Sequence, residues 1–178
     1  MNRRLAQGFS ADEPTEAASD VVAVIAIGAN LGDRQATIAE ALKDLARLPL
    51  TTNVLAAEPI ETVAVTPTGP DADAPAYLNT VVLLTTRLAP SVLLTYLQAI
   101  EARHGRERTV HWGDRTLDLD LIAHGDVRTR SPRLTLPHPR AAEREFVLEP
   151  WSRIDPDAVL PGHGAIVDLL ARLGEDRS

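Results

Sequence analysis

LDLDLIA, residues 117–123, alternates apolar and acidic residues over its first five positions. Successive side chains of a strand leave opposite faces, so this is a strand with Leu117, Leu119 and Leu121 on one side and Asp118 and Asp120 on the other. Upstream, Ala89-Pro90-Ser91 opens a helix carrying Leu93, Leu94, Leu97 and Ile100 at helical spacing, and Gly105 ends it. Before that, Tyr77 to Arg87 reads as a strand centred on Val81, Val82, Leu83 and Leu84. A Pro/Gly/Asp loop, VAVTPTGPDADAPA (63–76), and a weaker strand from Asn53 to Thr62 precede it. Further back, Asp33 is placed to cap a helix with the stripe Ile38, Ala41, Leu42, Leu45 and Leu48, which stops before Pro49. The continuous β-branched run VVAVIAI (21–27) is a strand buried on both faces. The order β-α-β-β-α-β predicts an α+β fold, a ferredoxin-like core in which two helices pack on one face of an antiparallel sheet. After it come a hairpin cue at Gly125-Asp126, Pro-rich segments and a last helix from Ala165 to Leu173, read as C-terminal additions to that core.

Residues 1–20 carry Asp12, Glu13, Glu16 and Asp20 among Ala, Ser and Pro without a hydrophobic period. They are expected to form a disordered tail ahead of a single domain over 21–178. With 178 residues, 44% of them apolar, one domain can bury roughly two thirds of its unfolded surface. Cysteine is absent, which excludes disulfides, thiolate metal sites and cysteine nucleophiles. The net charge of -7 has the wrong sign for gripping nucleic acid through phosphates, so small-molecule substrates are the expected partners. No apolar run reaches the roughly 18 residues of a membrane span and the N-terminus lacks a signal-peptide core, so a cytoplasmic location is expected, as a monomer. The one lysine, Lys43, lies between Leu42 and Asp44, which rules out a Gly-Lys-Ser/Thr phosphate loop. Polyphosphate would have to be held by Arg forks, backbone N–H groups and divalent metal.

Asp118 and Asp120 leave one strand face about 6.7 Å apart at Cα. Two readings stand: alternating Asp wets an exposed sheet face, or converging hard carboxylates hold Mg²⁺ for phosphoryl chemistry. GRERTVHWGDRTLDLD (105–120) favours the second by setting Arg106, Arg108 and Arg115 beside the pair, although such charges also pair across solvated loops. Of six aromatic residues, Tyr77, Trp112 and Phe146 sit next to polar clusters, where flat rings suit a flat heterocycle as well as core packing. Asn79 shares the Tyr77 strand face and offers the donors and acceptor that a base-like ring edge requires. LPHPRAAEREF (136–146) places His138, Arg140, Arg144 and Phe146 after a proline turn; no zinc spacing or Ser-His-Asp arrangement accompanies them.

Four motifs, IGANLGDR (27–34), YLNTVV (77–82), GDRTLDLDLI (113–122) and LPHPRAAEREFVLEP (136–150), closely resemble those of the hydroxymethyl-dihydropterin pyrophosphokinases of folate synthesis, in the same order. The resemblance runs from Val21 to Leu173. It implies the ferredoxin-like core and transfer of the β,γ-diphosphate of ATP to the hydroxymethyl group of dihydropterin, leaving AMP. It further implies two Mg²⁺ ions on Asp118 and Asp120, with Arg106 and Arg115 gripping phosphate and Trp112 closing over both substrates. Tyr77 and Phe146 would sandwich the pterin, Asn79 would read its edge, and the segment Thr62, Val63, Ala64, Val65 would contact it. Gln98, Glu101, Arg108, Leu121, Arg133, Thr135, His138 and Arg144 fall at or near ATP-contacting positions. The chain departs from the family at Val63 and Asp114, where Pro is common. A two-metal nucleotidyltransferase, which would release diphosphate, and a non-catalytic binding module, indifferent to Mg²⁺, are the competing readings.

Overall fold

The run that begins at Val21 becomes β1 (Val21–Ala29), buried from Ala23 onward because its β-branched and alanine side chains are apolar on both faces. A computed structural model describes residues 19–66, 69–71, 75–105 and 116–175, with only the backbone described at 64–66 and 69–71. Asp33 accepts the Ala36 amide at 3.0 Å and starts α1 (Arg34–Ala46), whose Ile38, Ala41 and Leu45 are buried. Thr51–Ala56 and Ile60–Thr62 form β2 and β3, two strands where the sequence suggested one. Glu58-Pro59 parts them, because proline has no N–H for the ladder. Both pieces run along the same partner strand, and Ala57 bridges the gap by donating to Val81 O at 2.9 Å. A short hairpin of β4 (Ala64–Thr66) and β5 (Gly69–Asp71) follows.

The strand β6 (Tyr77–Thr86) then leads into α2 (Pro90–Arg103), with Pro90 in its first turn and Gly105, at φ 84°, just past its end. β7 (Asp118–His124) completes a five-stranded sheet in which β2-β6-β1-β7 lie side by side, β3 pairs with β6, and every neighbouring pair is antiparallel. Leu93, Leu97 and Ile100 of α2 and Ile38, Ala41 and Leu45 of α1 pack on the face of the sheet that carries Ile25, Ile27, Val82 and Leu119. Leu97 is completely buried there. Leu97→Ala is therefore expected to lower the unfolding free energy by about 3 kcal/mol, read as an earlier urea midpoint at unchanged slope.

The chain from Gly125 onward departs from the expected hairpin. Gly125 donates to Val22 O at 2.9 Å and keeps the turn on β1, while β8 (Thr129–Arg130) pairs with β9 (Thr135–Leu136) rather than with β7. A single 3₁₀ turn over 141–143 precedes α3 (Glu145–Ile154), β10 (Val159–Leu160) and β11 (Gly164–Ala165) pair, and α4 (Ile166–Glu175) ends the described chain. Val147, Leu148 and Trp151 of α3 with Ile166 and Leu169 of α4 bury the opposite sheet face at Val24, Ala26, Val81 and Ile122. Both faces are thus covered by helices. The expected N-terminal tail lies outside the described residues as far as residue 18; Asp20 sits 3.7 Å from the Arg87 guanidinium.

Candidate active site

Directly opposed residues of antiparallel strands share a face, so register decides which side chains meet. Gly28 of β1 stands opposite Asn79 of β6 on one side and opposite Asp118 of β7 on the other. These three residues form a row across the sheet, with Asn79 and Asp118 about 10 Å apart at Cα given the spacing of adjacent strands. One row further along, Ala26 sets Asp120 on the same face, beyond Asp118. On the other side of Asn79, Thr62 of β3 pairs with Tyr77, and the Asn79 amide donates to Thr62 Oγ1 at 2.6 Å. The face belongs to the α3 and α4 layer, but this end of it lies past their apolar contacts at Val24, Ala26 and Val81.

Asn79 is buried and leaves no room for a neighbouring side chain, since a Cβ on Gly28 would come within 2.9 Å of its Oδ1. Arg144, which precedes α3, reaches back and donates to Asp120 Oδ2 at 2.8 Å, while its guanidinium carbon lies 5.5 Å from the centre of the Phe146 ring. One arginine therefore joins the expected ring of the pterin pocket to the expected metal carboxylate. His138 takes its place because its N–H donates to Ile122 O at 2.8 Å, and its Nδ1 accepts the Arg140 amide at 3.2 Å. With Nδ1 an acceptor, the ring proton sits on Nε2, which is 4.0 Å from Asp120 Oδ2. Burial pushes the His138 pKa below its ordinary value, against the attraction of Asp120, so the ring is neutral near pH 7.

A cleft of about 290 Å³ opens along the outer edge of β7, lined by Leu94, Leu119, Asp120, Leu121, Arg133, Thr135, His138 and Pro139, and by Ser131, Pro132 and Leu134 of the turn before β9. Four expected nucleotide contacts, Leu121, Arg133, Thr135 and His138, thus line one cleft with an expected metal carboxylate. Gln98 is exposed on α2 and does not line it. Glu101 is buried, and its Oε1 accepts the Leu119 amide at 2.9 Å, so it grips the outer edge of β7 between the two aspartates. Val63 is exposed; Ala64 and Val65 begin β4. Arg106, Arg108, Trp112 and Arg115 lie outside the described residues. A second cleft, about 270 Å³ around Thr86 and His124, lies at the opposite end of β1 and shares no residue with this one.

Leu94, Ser131, Leu134 and Gly28 join the site only through the fold. Leu94 was legible as a helix residue, and Gly28 as a glycine breaking an apolar strand, the usual mark of a close approach.

The 7,8-dihydro-6-hydroxymethylpterin-pyrophosphokinase (HPPK) family model matches residues 24–156. The chain belongs to this family. It is 42% identical over 147 residues to a 2-amino-4-hydroxy-6-hydroxymethyldihydropteridine pyrophosphokinase of Pseudomonas aeruginosa, covering 83% of this chain and 88% of the relative. The likeness to the protein of the same name in Haemophilus influenzae is 37% over 157 residues, 88% of this chain and 96% of that one. Among solved structures, the wild-type HPPK-DHPS of Plasmodium falciparum superposes with a TM-score of 0.64 over 89% of this chain at 12% identity. This chain covers 42% of that longer one, and the likeness speaks for the fold alone. No helix among the described residues is long and apolar enough to cross a membrane.

Proposed function

We propose that this member of the HPPK family transfers the β,γ-diphosphate of ATP to the hydroxymethyl group of 6-hydroxymethyl-7,8-dihydropterin, giving the pterin diphosphate and AMP. The observation that carries the reading is the row Asn79–Gly28–Asp118, which sets a buried amide for a heterocycle edge on the same sheet face as a carboxylate pair whose second member, Asp120, lines the cleft. The strand order β2-β6-β1-β7, in which each βαβ unit brackets a strand of the other, supports reading the core as the ferredoxin-like arrangement.

The donor set suits magnesium. Mg²⁺ takes one or two carboxylates and completes its shell with water and substrate phosphates. Asp118 and Asp120 are two partly exposed carboxylates on one face, and among the described residues no group of three or more His, Asp or Glu forms a chelating cage. Two Mg²⁺ ions bound there with ATP would make the pterin hydroxyl easier to deprotonate and offset charge on the phosphate oxygens. Asp118 and Asp120 would be the residues that hold these ions. Arg144 fixes the Asp120 carboxylate, and Glu101 fixes the β7 edge from behind.

Tyr77 and Phe146 flank the pterin while Asn79 and the Thr62 to Val65 segment meet its edge. Leu121, Arg133, Thr135 and His138 take the nucleotide in the cleft, and Gln98 and Arg108 are further nucleotide contacts on the strength of the family resemblance alone. Arg106 and Arg115 neutralise non-bridging phosphate oxygens, and Trp112 closes over the pair to exclude water. Holding the hydroxyl in line with the β-phosphorus then contributes to the acceleration without a strong side-chain base.

Incubation of the protein with ATP, Mg²⁺ and 6-hydroxymethyl-7,8-dihydropterin is expected to yield AMP in step with pterin diphosphate, resolved by ion-exchange chromatography. Free diphosphate with a nucleotide-bearing pterin would replace this reading by nucleotidyl transfer.

A further inference from the structure

The IGANLGDR motif ends in Arg34, a residue to which the mechanism above gives no part. It occupies the first position of α1, where a cation is disfavoured by the positive end of the helix dipole and where the Asp33 cap is the acidic residue at hand, the first turn itself having none. A residue that breaks a local rule in a well-formed helix calls for a compensating contact. Arg34 Nη1 donates to Ala76 O at 2.6 Å and lies 2.8 Å from Glu61 Oε1. Glu61 and Ala76 immediately precede Thr62 and Tyr77, the pair that ends the β3–β6 ladder and from which the segment 63–76 leaves and returns. One guanidinium nitrogen therefore spans the two feet of that loop, next to the residues assigned to the pterin.

We propose that Arg34 is a positioning residue that closes the base of the 63–76 loop and so sets the pterin side of the site. This rests on the function proposed above. Its anchor is rigid, because Asp33 caps α1 and Ile38, Ala41 and Leu45 are buried against the sheet. The Glu61 carboxylate is largely exposed, at 60%, so that ion pair contributes little by itself. The bond to the Ala76 carbonyl is charge-assisted and part-buried, and it is the contact that ties the returning strand to the helix. Joining Glu61 to Ala76 holds Thr62 and Tyr77 in register with each other before substrate arrives, which shows as affinity.

The test compares wild type with Arg34→Met, which keeps the stem and removes the donor, and Arg34→Lys, which keeps a cation. Binding of 6-hydroxymethylpterin is followed by its fluorescence in the presence of Mg²⁺ and α,β-methylene-ATP, and the nucleotide is titrated alone by calorimetry. Arg34→Met is expected to weaken pterin binding roughly tenfold with nucleotide binding changed less than about twofold, and Arg34→Lys to restore part of the loss. Amide exchange should accelerate at Thr62 and Tyr77 in Arg34→Met and stay unchanged at Leu121. Pterin affinity within about twofold of wild type, or a parallel loss of pterin and nucleotide binding with faster exchange throughout the sheet, overturns the proposal. Failure of the function itself reads differently: wild type would then form no AMP and bind no pterin, whatever the exchange rates of the variants.

Discussion

Asp120→Ala is expected to lower turnover by at least roughly 10³-fold while moving the melting temperature by only about 2–4 °C. The two effects separate because of where the carboxylate sits. Its side chain is 33% exposed, and its partner Arg144 keeps the Phe146 ring when the carboxylate is gone, so the structural loss is that of a partly solvated ion pair, about 1 kcal/mol or less. On the proposed mechanism the chemical loss is larger, since one of the two aspartates assigned to divalent metal would be gone. Asp120→Asn sharpens the point: the amide oxygen can still accept from Arg144, so the melting curve should match wild type more closely while turnover falls as far. Raising Mg²⁺ should recover part of the activity of either variant if the defect is weakened metal binding. AMP formation and thermal melts followed by circular dichroism report both quantities. Turnover within tenfold of wild type would remove Asp120 from the metal site.

How much of this was visible in the order of residues depends on the range over which each feature is determined. LDLDLIA declares itself because its alternation is a property of five adjacent residues, and the β1 run and the α2 stripe are equally local. Between Asn53 and Thr62 the sequence reads as one strand, whereas the structure parts it at Glu58-Pro59 and keeps both halves on β6. The helix α3 escaped notice because Pro150 lies inside it, although Val147, Leu148 and Trp151 have helical spacing and are all buried. Glu101 carried a legible hint, being eight residues after Leu93 on the stripe that faces the core, a place where a charge needs a partner. The row across the sheet had no such hint. Residues 28, 79 and 118 become neighbours only through the register of two strand pairs, and register is a tertiary property set by the packing of both faces. For the same reason Arg34 could be quoted as part of a motif and yet have no role until Glu61 and Ala76 were seen beside it.

Gly28→Ala should separate the pterin half of the site from the nucleotide half. Backbone propensity predicts a modest gain, since glycine in a strand interior costs roughly 0.5–1 kcal/mol relative to alanine. Space predicts a loss: the new methyl carbon would stand 2.9 Å from Asn79 Oδ1 and 3.8 Å from Tyr77 Cδ1, the two close approaches among the described residues outside its chain neighbours. Asn79 cannot swing aside cheaply, because it is 6% exposed and its amide is held by Thr62 Oγ1 at 2.6 Å. The two terms nearly offset in stability, so the melting temperature is a poor reporter and binding is the informative one. Displacing Asn79 breaks the Thr62 bond and tilts the amide away from the heterocycle edge, which should cost a hydrogen bond or two, roughly ten- to a hundredfold in pterin affinity. Nucleotide binding should hold within about twofold, because the added carbon approaches no atom of Asp118. The clash can be isolated by a second substitution. In Gly28→Ala combined with Asn79→Ala the amide oxygen is gone, so the methyl group fits and the double variant should melt no lower than Asn79→Ala alone. A double variant that melts well below Asn79→Ala would place the strain elsewhere than at Asn79 and break the link between the Gly28 gap and the pterin pocket.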